Sequence, residues 1–285
     1  MIRKNGSLHP GFIIPLLLSI LLLVGFLLVP FVSMLLHSFQ GADGGKPGFS
    51  NYMKALTSPF YYRSFQNSFL VALLSTILGL AIGLVSSASI HALSVPLQNK
   101  IILIAGMSSN FAGVPLAFGY IILLGANGIF TLLFQRMGIP VLKDFDLYSW
   151  AGLSLVYVYF QLPLSVLLLL PAFAGLKNEW REAANLLGAN DKKFWRHIAF
   201  PVLAPSVFGT GGILFANALG AYATAYALIG SNFSLVPIRI SGLVASNVAL
   251  QPELGSALAV LLTLMMGSAI ALNQWLQSRY RKFAS

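Results

Sequence analysis

The chain has 285 residues, of which 57% are hydrophobic and 8% charged, with a mean hydropathy of +0.82. Soluble domains carry about 25% charged residues, so a water-facing surface is excluded, and so is disorder, which needs low hydrophobicity and high charge. The net charge of +10 comes from 17 Lys and Arg against 7 Asp and Glu; the basic residues stand at the ends of apolar runs, as topology signals do, rather than in one nucleic-acid-binding patch.

Apolar runs of about 18 residues or more predict transmembrane helices. Six occur, over 12–36, 67–92, 101–124, 150–173, 202–229 and 254–275. The first follows Arg3 and Lys4. It is longer than the apolar core of a signal peptide and no small-x-small site follows, so it is expected to be a retained helix. With the N-terminus inside, eleven of the 17 basic residues fall on the inner side. The positive-inside rule therefore predicts both termini in the cytoplasm, with residues 37–66, 125–149 and 230–253 outside and 93–100 and 174–201 inside. The outer loops hold Asp43, Asp144, Asp146 and Glu253 against six basic residues, Lys46 and Lys143 among them. That balance selects neither a cationic nor an anionic solute.

On the second run, Gly79 and Gly83 form a GxxxG pattern, which predicts close helix packing. The third run carries Ser108, Ser109, Asn110 and Gly113, and the fifth carries Asn217, Gly220, Ala221, Tyr222, Thr224 and Tyr226. Polar groups in hydrocarbon need partners, so Asn110, Asn217, Tyr222, Thr224 and Tyr226 are either interhelical glue or the lining of a solute path. Tyr222 and Tyr226 lie four apart and share a helix face. They are expected to meet a passing solute or to pack as an aromatic pair. His9, His37, His91 and His197 are scattered, and no run holds the buried carboxylate or histidine of an ion-coupled carrier. No serine–histidine or metal constellation for intramembrane catalysis is visible, and zero cysteines exclude disulfides and thiolate metal sites. No metal site and no catalysis by this chain are expected.

The loop between the fourth and fifth runs has its own local logic. Asn178 is a candidate N-cap for a short helix rich in Ala and Leu, and Gly188 suits the left-handed residue that ends it. Asn190 or Asp191 caps a second helix, expected to stop before Pro201. Leu186, Leu187, Phe194 and Trp195 are too apolar for free exposure and must pack on this chain, on the interface or on a partner.

The spacing Glu182-Ala183-Ala184, three residues, Gly188, nine residues, Ile198-Ala199-Phe200-Pro201 resembles the EAA motif of permease subunits of binding-protein-dependent ABC importers, with Phe200 where that family usually has Leu. The likeness extends over about residues 60–280. It implies an all-α integral membrane protein of six transmembrane helices, the MetI-like type I importer permease fold. Residues 1–66 would form the N-terminal helix and first external loop, and residues 67–285 the permease core with coupling loop 174–201. The resemblance assigns Glu182, Ala183, Ala184, Leu187, Gly188, Phe194, Ile198 and Pro201 to coupling with an ATPase. Glu182 would pair with a basic group there, and Leu187, Phe194 and Ile198 would be apolar contacts or supports.

This chain binds no cofactor in that picture. Its only Gly-Gly-Lys, ending at Lys46, is followed by Pro47 and is no phosphate-binding loop, so ATP and Mg belong to a partner ATPase dimer. The other implied partners are a second permease subunit, on which the first helix would pack, an extracytoplasmic substrate-binding protein and the lipid bilayer. The implied location is the bacterial plasma (inner) membrane. The segment from Ala216 to Ile240 resembles permeases of the polyamine, phosphonate and ferric-iron importers, with sugar or glycerol-phosphate permeases as rivals. A channel or a secondary carrier is the remote alternative, lacking a charged ring or ion site.

Overall fold

Hydrocarbon offers the backbone no hydrogen-bond partners, so apolar runs must satisfy their own N–H and C=O groups, and a helix does so locally. All regular structure among the described residues is accordingly helical. The computed structural model describes residues 10–41, 45, 47–138, 145–230, 233–245 and 250–284. Arg3, Lys4, His9, Asp43, Lys46, Lys143 and Asp144, named above, lie outside the described residues.

In chain order the helices are α1 (Pro10–Leu23), α2 (Val29–Ser38), α3 (Ser50–Thr57), α4 (Pro59–His91), α5 (Val95–Ser109), α6 (Val114–Leu124), α7 (Ile129–Arg136), α8 (Trp150–Ala174), α9 (Asn178–Leu186), α10 (Asp191–Phe194), α11 (Phe200–Leu219), α12 (Tyr222–Ile229), α13 (Val236–Ala245) and α14 (Pro252–Ala284). Six stretches are long and apolar enough to cross a membrane: 14–38, 59–91, 114–136, 150–174, 191–219 and 252–279.

The number of spans agrees with the sequence reading, but two positions do not. The third run, expected over 101–124, is cut at Asn110–Gly113, and the candidate span is 114–136. Gly113 sits at φ +74° and Pro115 opens α6, so the chain ends one helix and starts another inside the apolar run. The fifth run, expected over 202–229, breaks at Gly220–Ala221, and its helix reaches back to Asp191.

The helix expected to stop before Pro201 in fact runs through it. A π turn over Trp195–Ala199, closed by the Phe200 N–H on the Trp195 carbonyl, comes just before the proline. Val24–Leu28 does the same ahead of Pro30, with the Val29 N–H on the Val24 carbonyl. A proline ring clashes with the carbonyl four residues back and offers no N–H. Widening the preceding turn by one residue is a recognised way to bend a helix without breaking it.

The chain separates into two compact units, residues 1–62 with 240–261 and residues 63–239 with 262–285. In the first, the Asn51 amide donates to the Ser38 and Gln40 carbonyls at 3.2 and 2.7 Å, and Phe39, Phe49 and Tyr52 cluster around the turn after α2. From Ile14 to Ser33 every residue is exposed, and burial begins only at the end of the stretch, where Ser38 is buried.

In the second unit α4 lies against α8. A Cβ on Gly79 would stand 3.2 Å from the Gln161 Cβ, and one on Gly83 would collide with Ser165. The approach is sealed by the Gln161 amide donating to the Ser75 hydroxyl at 2.8 Å and the Ser165 hydroxyl donating to the Gly79 carbonyl at 3.2 Å. The GxxxG pattern is thus a packing seam. Next to it, Leu169, Phe173 and Leu203 form a buried cluster joined by Leu80 and Leu84.

Candidate functional site

The loop 174–201 folds as a self-supported helix–turn–helix. α9 begins at Asn178 itself, with Lys177 at the cap position, so Asn178 is the first helical residue rather than the N-cap; its side chain lies outside the described residues. Gly188 adopts φ +75°. Its N–H donates to the Asn185 carbonyl at 2.9 Å and the Ala189 N–H donates to the Ala184 carbonyl at 2.9 Å. These two bonds are the Schellman arrangement that ends a helix on a left-handed residue. Asn190, not Asp191, is the second cap, its Oδ1 accepting from the Lys193 N–H at 3.0 Å. Asp191 instead accepts from Arg181 at 2.7 Å, tying α9 to α10, a pairing that the sequence reading missed.

At 3.6 residues per turn, Lys177, Arg181 and Ala184 share one side of α9, and Glu179, Glu182 and Leu186 the other. Ala184, Phe194 and Ala199 are buried together, with Leu176, Ala189 and Ile198 packed on them. Phe194 and Ile198 are therefore supports. Glu182, Ala183 and Gly188 are exposed, and Pro201 is half-buried. Leu186 and Leu187 remain 89% and 88% exposed. Of the four apolar side chains that had to find cover, Phe194 finds it in the loop and Trp195 in part, against Phe173; the two leucines do not.

A second arrangement lies at the ends of two spans, just before the third and just after the fifth. The breaks after α5 and after α11 are joined: the Gly113 N–H donates to the Thr224 hydroxyl at 2.9 Å, and a Cβ on Gly113 would stand 3.6 Å from that of Ala223. The Tyr157 hydroxyl of α8 donates to the Ala221 carbonyl at 2.8 Å. Irregular backbone at membrane depth is tolerated where protein covers it or a wet cavity adjoins it.

Of the five expected path residues, Thr224 is buried and occupied by this contact. The Asn110 amide caps its own helix, donating to the Gly106 carbonyl at 2.9 Å. Tyr222 and Tyr226 stack on each other at 5.3 Å, with Tyr226 51% exposed, and Asn217 is exposed in the last turn of α11. Thr224 is thus engaged within the protein, while Asn110, Asn217 and Tyr226 are exposed. Gly113 and Tyr157, which the sequence reading passed over as site residues, hold the junction. The Gly113-Val-Pro115 order was the available signal for the first of them.

Comparison with known proteins bears on both arrangements. The family described as "Binding-protein-dependent transport system inner membrane component" matches residues 101–282, which include the whole loop and both breaks. The thiamine transport system permease protein ThiP of Salmonella typhimurium is 23% identical over 230 residues, covering 81% of this chain and 41% of the relative. The sulfate transport system permease protein CysT of the same organism is 23% identical over 224 residues, covering 78% of this chain and 76% of the relative. The chain thus spans about two fifths of the length of the first of these curated relatives. Among solved structures, a bacterial alginate ABC transporter in complex with an alginate pentasaccharide-bound periplasmic protein superposes with a TM-score of 0.73 at 15% identity, covering 94% of each chain.

Proposed function

The chain belongs to the family of binding-protein-dependent transport system inner membrane components, with the MetI-like permease fold, and from that premise we propose that it is the permease subunit of an ATP-driven importer, coupled to a separate ATPase through residues 178–201. One observation carries the reading. The loop closes its own inner face with Ala184, Phe194 and Ala199, yet presents Leu186 and Leu187 uncovered beside Glu182. Burying a leucine side chain is worth about 1.5–3 kcal/mol, so two uncovered neighbours at the tip of a rigid motif suit a partner's cleft. Glu182 would complete the contact with a charge-assisted bond to a basic group of the ATPase. Ala183 keeps the surface low, and Gly188 and Pro201 shape the two ends of the motif.

In this reading ATP and Mg are bound by the ATPase dimer, and this chain performs no chemistry. A second permease subunit completes the path, and a substrate-binding protein delivers the solute from outside, as a periplasmic protein accompanies the alginate transporter. The termini and the loop face the cytoplasm of a bacterial inner membrane. Closure of the ATPase draws the loops together, and the junction of the two broken helices, with Asn217, Tyr222 and Tyr226 around it, changes the path from one side to the other. The sequence resembles polyamine, phosphonate and iron permeases, while two relatives are named for thiamine and sulfate. Common to these is a small polar solute.

The test is Leu187→Asp. Leu187 is 88% exposed, so the fold of the chain is expected to be unchanged. Co-purification of an ATPase from native membranes should be lost together with ATP-driven uptake. An L187D chain that still brings down the ATPase and still supports uptake refutes the reading.

A further inference from the structure

On the side of α9 opposite Glu182 and Leu186 lies a cavity of about 150 Å³, lined among others by His91, Phe173, Lys177, Arg181, Phe194 and Trp195. Its lining carries two basic side chains and a histidine and no carboxylate. The nearest acid in the loop's bonding is Asp191, which holds one nitrogen of Arg181 at 2.7 Å. A guanidinium has five N–H donors in a planar fork, so others stay available. The Arg181 side chain is braced 5.9 Å above the Phe194 ring. Lys177 is exposed, which leaves its ammonium group accessible.

Depth and size say what such a cavity takes. α4 ends at His91, α8 ends at Ala174 and the next span begins at Asp191. The cavity therefore lies where two spans leave the hydrocarbon and a third enters it, the level of lipid headgroups, where Trp is enriched. Pockets for whole small molecules run from about 300 Å³ upward; half of that suits a headgroup-sized fragment. The abundant anion at that level is lipid phosphate, and basic pockets between spans on the cytoplasmic side are the kind that bind it.

We propose that this cavity binds the phosphate of an anionic phospholipid of the inner leaflet, held by Lys177 and Arg181 with His91 beside them. The leaflet assignment rests on the topology of the permease reading. Lys177 and Arg181 lie one turn apart on the inner side of α9, so the bound headgroup braces the loop from behind while Leu186 and Leu187 meet the partner in front. Coupling then depends on anionic lipid.

The test uses the full chain purified with its accompanying subunits, placed in nanodiscs of phosphatidylcholine with a minor share of phosphatidylglycerol. Lipid retained after detergent extraction is read by native mass spectrometry. Wild type is expected to keep one phosphatidylglycerol per chain. K177Q should hold it about fivefold less well, the effect of one cation beside an anionic surface. K192Q, which removes an exposed lysine of the same loop that does not line the cavity, should match wild type. Equal losses in the two variants would mean diffuse charge and overturn the site. So would retention of phosphatidylcholine as readily as phosphatidylglycerol. Displacement of the lipid by inorganic phosphate at similar strength would assign the cavity to a free anion and overturn the lipid claim. The readout needs no transport, so its failure leaves the permease reading standing, while failure of L187D to lose the ATPase would count against that reading and not against the lipid site.

Discussion

Gly188 separates the backbone's demands from the partner's. It holds φ +75°, and a Cβ built there meets nothing within 4 Å. Substitution therefore costs only what a left-handed conformation costs an L-residue, about 1–2 kcal/mol for alanine and less for asparagine or aspartate, whose short polar side chains tolerate it. That range corresponds to a factor of about 5–30 in the population of the closed turn. The amides that report it are those of Gly188 and Ala189, each bonded at 2.9 Å to a carbonyl of α9. Hydrogen exchange at these two sites should accelerate about 5–30-fold in Gly188→Ala and less in Gly188→Asn. Gly188→Asp should exchange much like the asparagine variant, yet lose ATP-driven uptake far beyond what that small opening explains, because it sets a carboxylate next to Leu187 on the partner-facing tip. Alanine exchanging as slowly as glycine would refute the conformational argument. Aspartate transporting like wild type would refute the coupling assignment.

Two packing predictions concern contacts between the helices. Gly83→Ala should force α4 off α8 through Ser165 and destabilise the chain by about 1–3 kcal/mol in denaturant unfolding from detergent. Ser165→Gly on the same chain should recover part of that loss, and strictly additive effects would show that the two helices are not in this contact. Thr224→Val should leave the Gly113 N–H without its acceptor and cost about 1–3 kcal/mol, whereas Thr224→Ser, which keeps the hydroxyl, should cost less than half as much in the same unfolding assay. Equal losses in the valine and serine variants would mean that the hydroxyl does not carry the junction.

Hydropathy along the chain was enough to count six spans, and the residue types at 182–201 were enough to read a helix–turn–helix there. Both are local properties. Transfer free energy is summed over consecutive residues, and Gly188 and Asn190 act on backbone groups within four residues of themselves. The Gly79 and Gly83 seam was also legible, because small residues one turn apart have few other uses on an apolar helix. Hydropathy averages over a window, however, and so passed smoothly across Asn110–Gly113 and Gly220–Ala221, where the helices in fact break. A break in an apolar run is stable only when something else satisfies the freed groups, and here those partners are far along the chain, Thr224 for Gly113 at 111 residues and Tyr157 for Ala221 at 64. The same distance hid the cavity behind α9, whose walls come from the ends of three spans. Composition and spacing determined that the chain has six stretches apolar enough to cross a membrane, with a helix–turn–helix between the fourth and fifth. Which leucines stay uncovered, which helices break and which cations share a cavity were decided by the tertiary structure, because each depends on a neighbour that only folding brings near.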